Sequence, residues 1–500
     1  MNDTERLKTF PVKDGKVEEV RFLSVDKMEK QIKRLIDIKF GFYRVSILLQ
    51  PTEKSNIRVV AFLPEKENWN GKFFGTGNGG FAGEIVEAGL YAYGSQGFAV
   101  VNTDMGTPKD PDDAIMVPEI WHDFGHRATH LMTVVGKELV EYFYGKAPSY
   151  SYFQGGSTGG QQAFSEASRY PEDYDGILAV SPAMDRVKLH TFFIWNWKQI
   201  NQYKNAGFSH KQVEEWRDAL VKEYGTLCLN VPEDQFLVYP TNIKENPMDN
   251  PNLQKIIKQL FSEDQQNALR GIYDGPKEPV TGEPIIGHFL PGTEAEMLSL
   301  EAYSNKESFA HDFFYPFRWI WGKDFDFMNF DFHKDFEKAM MELSPILDSS
   351  NPDLHAFKER GGKIMVIGGS SDAIVPYNGF LEYYQKVIDT MGGMEATTDF
   401  FRFFLMPGLS HTFGGNGVME TGTYGLRVIP KKPEYNSVTA LIEWVENERV
   451  PERLLGVHLN MGLKGMKAEY FRPSYAYPNI TKFIGTDSKN PDHFQVIREI

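Results

Sequence analysis

The 500-residue sequence holds a single cysteine, Cys228. An intramolecular disulfide is therefore impossible, and a cysteine-rich metal centre is excluded. Scarce cysteine favours a reducing compartment. The opening stretch MNDTERLKTF lacks a basic-then-apolar signal pattern, so the expectation is a cytoplasmic protein. Positive charge is also short: 53 Lys and Arg face 68 Asp and Glu, for a net charge of −15. Such a chain repels phosphate backbones and anionic lipid, so neither nucleic acid nor a membrane surface is an expected partner. Long apolar runs are missing as well, and none approaches the ~18 residues that a membrane span needs.

What is present reads as globular: 41% hydrophobic and 24% charged residues. The length exceeds one simple core and suggests a large domain with an insertion, or two domains. Aromatics reach 14%, which indicates an aromatic-rich core or, more sharply, an aromatic-lined pocket for a flat substrate. Over residues 1–183 apolar runs bounded by Gly, Pro or Asn alternate with helical patterns. The runs at 58–63 (RVVAFL), 72–75 (KFFG), 97–102 (GFAVVN) and 150–154 (YSYFQ) predict strands, and the apolar spacing over 126–144 predicts a helix. From 184 to 345 strand-like runs are scarce and helical, Trp-containing stretches take over. From 346 to 500 the alternation returns, with strands predicted at 362–368 and 398–406 and helices at 378–390 and 437–446. The fold class expected is α/β, a mostly parallel, doubly wound sheet interrupted by a large, mainly helical lid at 184–345.

Gly155-Gly156-Ser157-Thr158-Gly159 fits G-x-S-x-G between a predicted strand and a helix-like stretch. That context suits a nucleophilic serine on a sharp strand-to-helix turn, as in α/β-hydrolases. A serine hydroxyl needs a base, and the base needs an orienting carboxylate. In this fold the chain order is Ser, then acid, then His, with both partners in loops after strands. Asp372 (GGSSDAIVP) and His411 (MPGLSHTFGG) meet that order and placement. An oxyanion hole needs two backbone N–H groups. Thr158 is expected to supply one, and Gly79 or Gly80 of GTGNGGFAG the other.

The same glycine loop permits a different chemistry. Gly75, Gly77 and Gly80 spell G-x-G-x-x-G after a strand, and Asp104 follows where a ribose-binding acid would stand. That is the fingerprint of a nicotinamide-dinucleotide oxidoreductase. It leaves Ser157, Asp372 and His411 unexplained, and the stretch after it, with Gly83 and Gly89, is a poor helix. A hydrolase-fold binding protein without catalysis is a third reading, opposed by the complete triad. His122, His126 and His130 recur at helical spacing and could face a metal, but the Glu of H-E-x-x-H is missing, so no metal is expected. Trp195 and Trp197 could line a substrate pocket or pack the lid, and Arg318 could pair with a substrate carboxylate or sit in an internal ion pair.

The stretches WNGKFFGTGNGGFAG, NTDMGT, DFGHRATH, FQGGSTGGQQAFSEASRYPEDYDGILAVSPA, FLPGTE, GGKIMVIGGSSDAIVP and LMPGLSHTFGG together resemble the tannase and feruloyl esterase family of α/β-hydrolases. That family includes the enzyme acting on mono(hydroxyethyl) terephthalate. The resemblance implies a serine esterase for small-molecule esters of aromatic acids, galloyl or hydroxycinnamoyl, with terephthalate half-esters as the alternative. It places the family's triad on Ser157, Asp372 and His411, and its oxyanion groups on Thr158 and the Gly79–Gly80 region. Two departures stand out. The family's cysteines before the nucleophile and after the histidine are Gly156 and Thr412 here. The lid stretch that binds calcium in the family offers only Glu223, Glu233 and Asp234, so no calcium and no cofactor are expected.

Overall fold

The computed structural model describes residues 2–462 and 465–498. Nine strands form one sheet: β1 (Gly15–Leu23), β2 (Phe42–Leu49), β3 (Ile57–Pro64), β4 (Phe73–Thr76), β5 (Ala99–Thr103), β6 (Ser151–Gly156), β7 (Gly176–Val180), β8 (Lys363–Gly369) and β9 (Phe401–Met406). Their spatial order is β1-β2-β3-β5-β4-β6-β7-β8-β9. The pairings from β1 through β3 to β5 are antiparallel, and every pairing from β5 to β9 is parallel.

Helices cover both faces, and the sequence shows why. Neighbouring residues on a strand point to opposite faces. Phe73, Phe153, Ile177 and Ile364 belong to one buried cluster, while the adjacent Phe74, Tyr152, Leu178 and Met365 belong to another. A strand apolar on both sides has no face to give to water, which is why β5 and β7 are buried at every position. Helix α1 (Ala128–Tyr144) buries Ala128, Met132, Val135, Leu139 and Phe143, a stripe at helical spacing, and stops at Gly145 with φ 79°. Helix α2 (Thr158–Arg169) follows β6 and is buried over its first ten residues.

The chain leaves the sheet after β7 and returns at β8. The excursion is helical, including α3 (Arg186–Asn201), α4 (His210–Tyr224), α5 (Glu263–Asp274) and α6 (Tyr315–Trp321). Its only described β pairing is an isolated bridge between Lys277 and Pro284. The aromatic surplus sits largely in cores: Phe81, Phe124, Tyr315 and Trp319 stack edge and face within 6.0 Å of one another. Helices α7 (Tyr377–Thr390) and α8 (Ser437–Asn447) then flank the last strands.

Several elements differ from the sequence reading. The expected strand at 398–406 starts at Phe401, because Gly393, at φ 104°, opens a short helix over Met394–Thr398. The first two strands were not anticipated. β1 carries Lys, Glu and Arg and is exposed at most positions, as suits an edge strand, so it lacks an apolar run. The antiparallel pair β10 (Arg453–Gly462) and β11 (Gly465–Tyr475) was also not anticipated.

Candidate active site

Ser157 stands between β6 and α2 with φ 58° and ψ −118°. A non-glycine residue rarely adopts positive φ, and here the surroundings enforce it. Its N–H donates to the Val180 carbonyl of β7 at 2.9 Å, and its carbonyl accepts from Gly160 at 2.9 Å and Ala183 at 3.0 Å. The turn is packed backbone against backbone. A Cβ on Gly155 would fall 2.4 Å from the Gly159 carbonyl oxygen, and one on Gly77 would fall 2.5 Å from the Gly159 Cα. The glycines of both motifs thus let the loop after β4 lie directly on the serine turn.

Asp372 follows β8 and is fully buried. Its Oδ1 accepts the Ile374 and Val375 amides, both at 2.9 Å. Its Oδ2 lies 2.9 Å from Nδ1 of His411, in the loop after β9. The two loops are tied together: Ser371 N–H donates to the Leu409 carbonyl at 3.1 Å, and Gly408 N–H to Ser370 Oγ at 2.8 Å. Ser157 and His411 line one cavity of about 270 Å³ with Gly79, Gly80, Thr412 and Tyr424. The structure therefore brings the predicted serine, acid and histidine to the C-terminal edge of neighbouring parallel strands.

The Thr158 hydroxyl donates to the Gly80 carbonyl at 2.6 Å. Among the described residues, the amides of Gly79, Gly80 and Thr158 donate to no protein acceptor. Gly80 has φ 54°, and a Cβ there or on Gly79 would meet nothing within 4 Å. Its backbone is thus open to the cavity.

The other candidate residues lie away from this cavity. Arg318 is 4% exposed; Nε donates to Asp112 Oδ1 at 2.7 Å, and the terminal nitrogens donate to the Ala310 and His311 carbonyls. Each of its three nitrogens donates within the protein, and the side chain does not line the Ser157–His411 cavity. The indole of Trp195 donates to Gly271 and that of Trp197 to Lys306, both through backbone oxygens. Neither ring lines the cavity; both pack the helical excursion. Nor is the cavity aromatic-lined, since Tyr424 is its one aromatic among the described residues. Sequence reasoning missed Tyr424 and Gln154 on the wall, and no spacing marks them.

The dinucleotide reading fails on the same geometry. Gly77 is spent on the serine turn. Asp104 is buried, its Oδ1 accepting the Arg58 and Gly106 amides at 3.0 and 2.8 Å. Burial pushes its carboxyl up to about 6. The three histidines do not converge either. His126 pairs with the Tyr170 hydroxyl at 2.7 Å and His130 with Asp173 at 2.6 Å. Burial pushes His126 down to about 4. His130, Glu166 and Asp173 could offer a metal one ligand atom each, as could Asp110, Asp112 and His311. Neither group lines the Ser157–His411 cavity. The buried Asp234 of the lid stretch pairs with Arg472 at 2.7 Å instead of standing free for a cation.

The family model described as tannase and feruloyl esterase matches residues 45–227 and 241–497. The probable feruloyl esterase B-2 of Aspergillus fumigatus is 29% identical over 463 residues, covering 88% of this chain and 84% of its own. Feruloyl esterase B of Aspergillus niger is 29% identical over 450 residues, covering 87% and 82%. Among solved structures, feruloyl esterase B from Aspergillus oryzae aligns with a TM-score of 0.86 at 24% identity, over 99% of this chain and 100% of that one. Tannin acyl hydrolase from Aspergillus niger aligns with a TM-score of 0.71 at 16% identity, over 100% and 95%. The fold shared with these is that of an α/β-hydrolase.

Proposed function

Because the chain belongs to the tannase and feruloyl esterase family of carboxylic ester hydrolases, we propose that it cleaves esters of aromatic acids through an acyl-enzyme on Ser157. The observation that carries this reading is the His411–Asp372 contact opening onto the cavity that holds Ser157. Asp372 accepts a hydrogen bond from the Nδ1–H of His411, which leaves Nε2 as the basic atom. Nε2 removes the Ser157 proton as Oγ attacks the ester carbonyl. The oxyanion is held by the Thr158 amide and an amide of the Gly79–Gly80 loop. Collapse expels the alcohol with the proton from His411. Water, deprotonated by His411, then attacks the acyl carbonyl, releasing the acid and Ser157. The chain and water supply every group used, with no cofactor.

The helical excursion is read as a lid that encloses the acyl group at the cavity mouth. The described cavity lining carries no Lys or Arg, and Arg318 is committed elsewhere. A substrate with a free carboxylate would meet no countercharge, which favours neutral galloyl or feruloyl esters over terephthalate half-esters. The test is turnover of methyl gallate, methyl ferulate, mono(hydroxyethyl) terephthalate and p-nitrophenyl acetate by wild type and Ser157→Ala. Wild-type turnover absent from the variant supports the reading. A variant that keeps turnover, or a wild type that prefers the terephthalate half-ester, overturns the corresponding part.

A further inference from the structure

Arg186, the first residue of α3, is 4% exposed, and its described partners are all uncharged. Nε donates to Gln161 Oε1 at 2.9 Å, and Nη2 donates to that same oxygen and to the Thr158 hydroxyl at 2.9 Å. Nη1 reaches the Tyr315 hydroxyl at 3.4 Å, and the guanidinium carbon lies 5.4 Å from the centre of the Phe124 ring. The acid felt most strongly nearby, Asp348, is pushed up to about 7 by burial and by Asp185, so it neutralises the arginine incompletely. A buried cation without a carboxylate is costly to keep. Its contacts indicate a use. Thr158 follows the nucleophile, and its hydroxyl accepts from Arg186 while donating to the Gly80 carbonyl at 2.6 Å. A hydroxyl that accepts from a cation becomes a stronger donor.

We propose that Arg186 is a positioning residue for the oxyanion hole: through the Thr158 hydroxyl it locks Gly80 against the residue after Ser157. The inference rests on the acyl-enzyme reading above. It also gives the helical excursion a part in assembling the site, since α3 belongs to it. Arg186 does not touch the substrate and acts through Thr158. Its loss therefore weakens transition-state binding more than ground-state binding.

The test is steady-state hydrolysis of methyl ferulate or p-nitrophenyl acetate, whichever the wild type turns over, by Arg186→Met, Thr158→Val, the double variant and Thr158→Ser. Thr158→Val keeps the backbone amide and the side-chain volume but loses the hydroxyl. Each single change is expected to lower kcat roughly ten- to a hundredfold, with KM within about threefold. The double variant is expected to fall no more than about threefold below the worse single one, because both cut the same chain of contacts. Thr158→Ser is expected to recover most of the activity. Wild-type kcat in Thr158→Val, or single losses that multiply in the double variant, would overturn the proposal. If Arg186→Met does not fold, Thr158→Val and Thr158→Ser decide it alone. Ser157→Ala runs alongside: if it keeps turnover, the acyl-enzyme reading has failed, whereas an inactive Ser157→Ala beside a normal Thr158→Val sinks only the role of Arg186.

Discussion

Replacing Asp372 by Asn tests the proposed triad without emptying its site. Asp372 Oδ1 accepts two buried amides, from Ile374 and Val375, and Oδ2 faces His411 Nδ1. Asn offers one acceptor and one donor end. Its oxygen must take the Oδ1 position, because the reverse sets an NH2 against two amides and leaves all three donors unsatisfied. Each such orphan costs about 1–3 kcal/mol. The NH2 then points at His411 Nδ1 and donates to it, so the imidazole proton is forced onto Nε2. An Nε2–H cannot take the proton from Ser157. In a serine protease this substitution of the triad acid costs about 10⁴-fold in kcat, equivalent to roughly 5.4 kcal/mol of barrier. A loss of that order is expected here, with KM nearly unchanged and the thermal midpoint within a few degrees, because both amides keep their acceptor. The assay is burst and steady-state release of p-nitrophenol at pH 7. A folded Asp372→Asn retaining more than about a tenth of the wild-type kcat would refute the assignment, since a tautomer error of this kind leaves no efficient base.

Three further outcomes are expected. A Cβ built on Gly156 lies 3.3 Å from the Thr412 Cβ, near the ~3.8 Å mean of bridged pairs, so Gly156→Cys/Thr412→Cys should oxidise to a disulfide. Closing a loop on the order of 250 residues corresponds to roughly 5 kcal/mol in the chain-entropy limit; thiol titration and melting with and without reductant check it, and persistent free thiols after oxidation contradict it. Asp348 is pushed up from 3.8 to about 7. The native state therefore binds this proton more tightly than the unfolded chain, and the associated stability is full below about pH 4 and lost as pH rises through 7. Asp348→Asn should accordingly raise the melting midpoint at pH 8 and change it little at pH 4; an equal shift at both pH values would show that titration is not the cause. Arg318→Met leaves Asp112 and two carbonyls without their donor, so it should cost roughly 3 kcal/mol of stability while kcat/KM for methyl ferulate stays within about threefold; a selective rise in KM would restore Arg318 as a substrate contact.

The parts of the site that could be read from the sequence follow local rules, and the parts that could not depend on partners far along the chain. Ser157, Asp372 and His411 each follow a strand whose apolar run is visible in the letters, and an α/β sheet gathers the ends of its parallel strands at one edge. Their convergence therefore needs no knowledge of side-chain packing. The glycine loop is different. GTGNGG suits a pyrophosphate or a serine turn equally well, and only the approach of Gly77 to Gly159 decides between them. Arg318 and Trp195 are harder still. An arginine and an indole suit a pocket or a core alike, and the carboxylate that pairs with Arg318 and the carbonyl that accepts from Trp195 lie 206 and 76 residues away. Arg186 is the limiting case. Nothing in SPAMDRVKL marks it, and its meaning arises only when α3 lays the guanidinium on the hydroxyl of Thr158. The proposed triad follows strands of the sheet, where periodicity predicts position, whereas Arg186 is carried in by the helical excursion, where it does not.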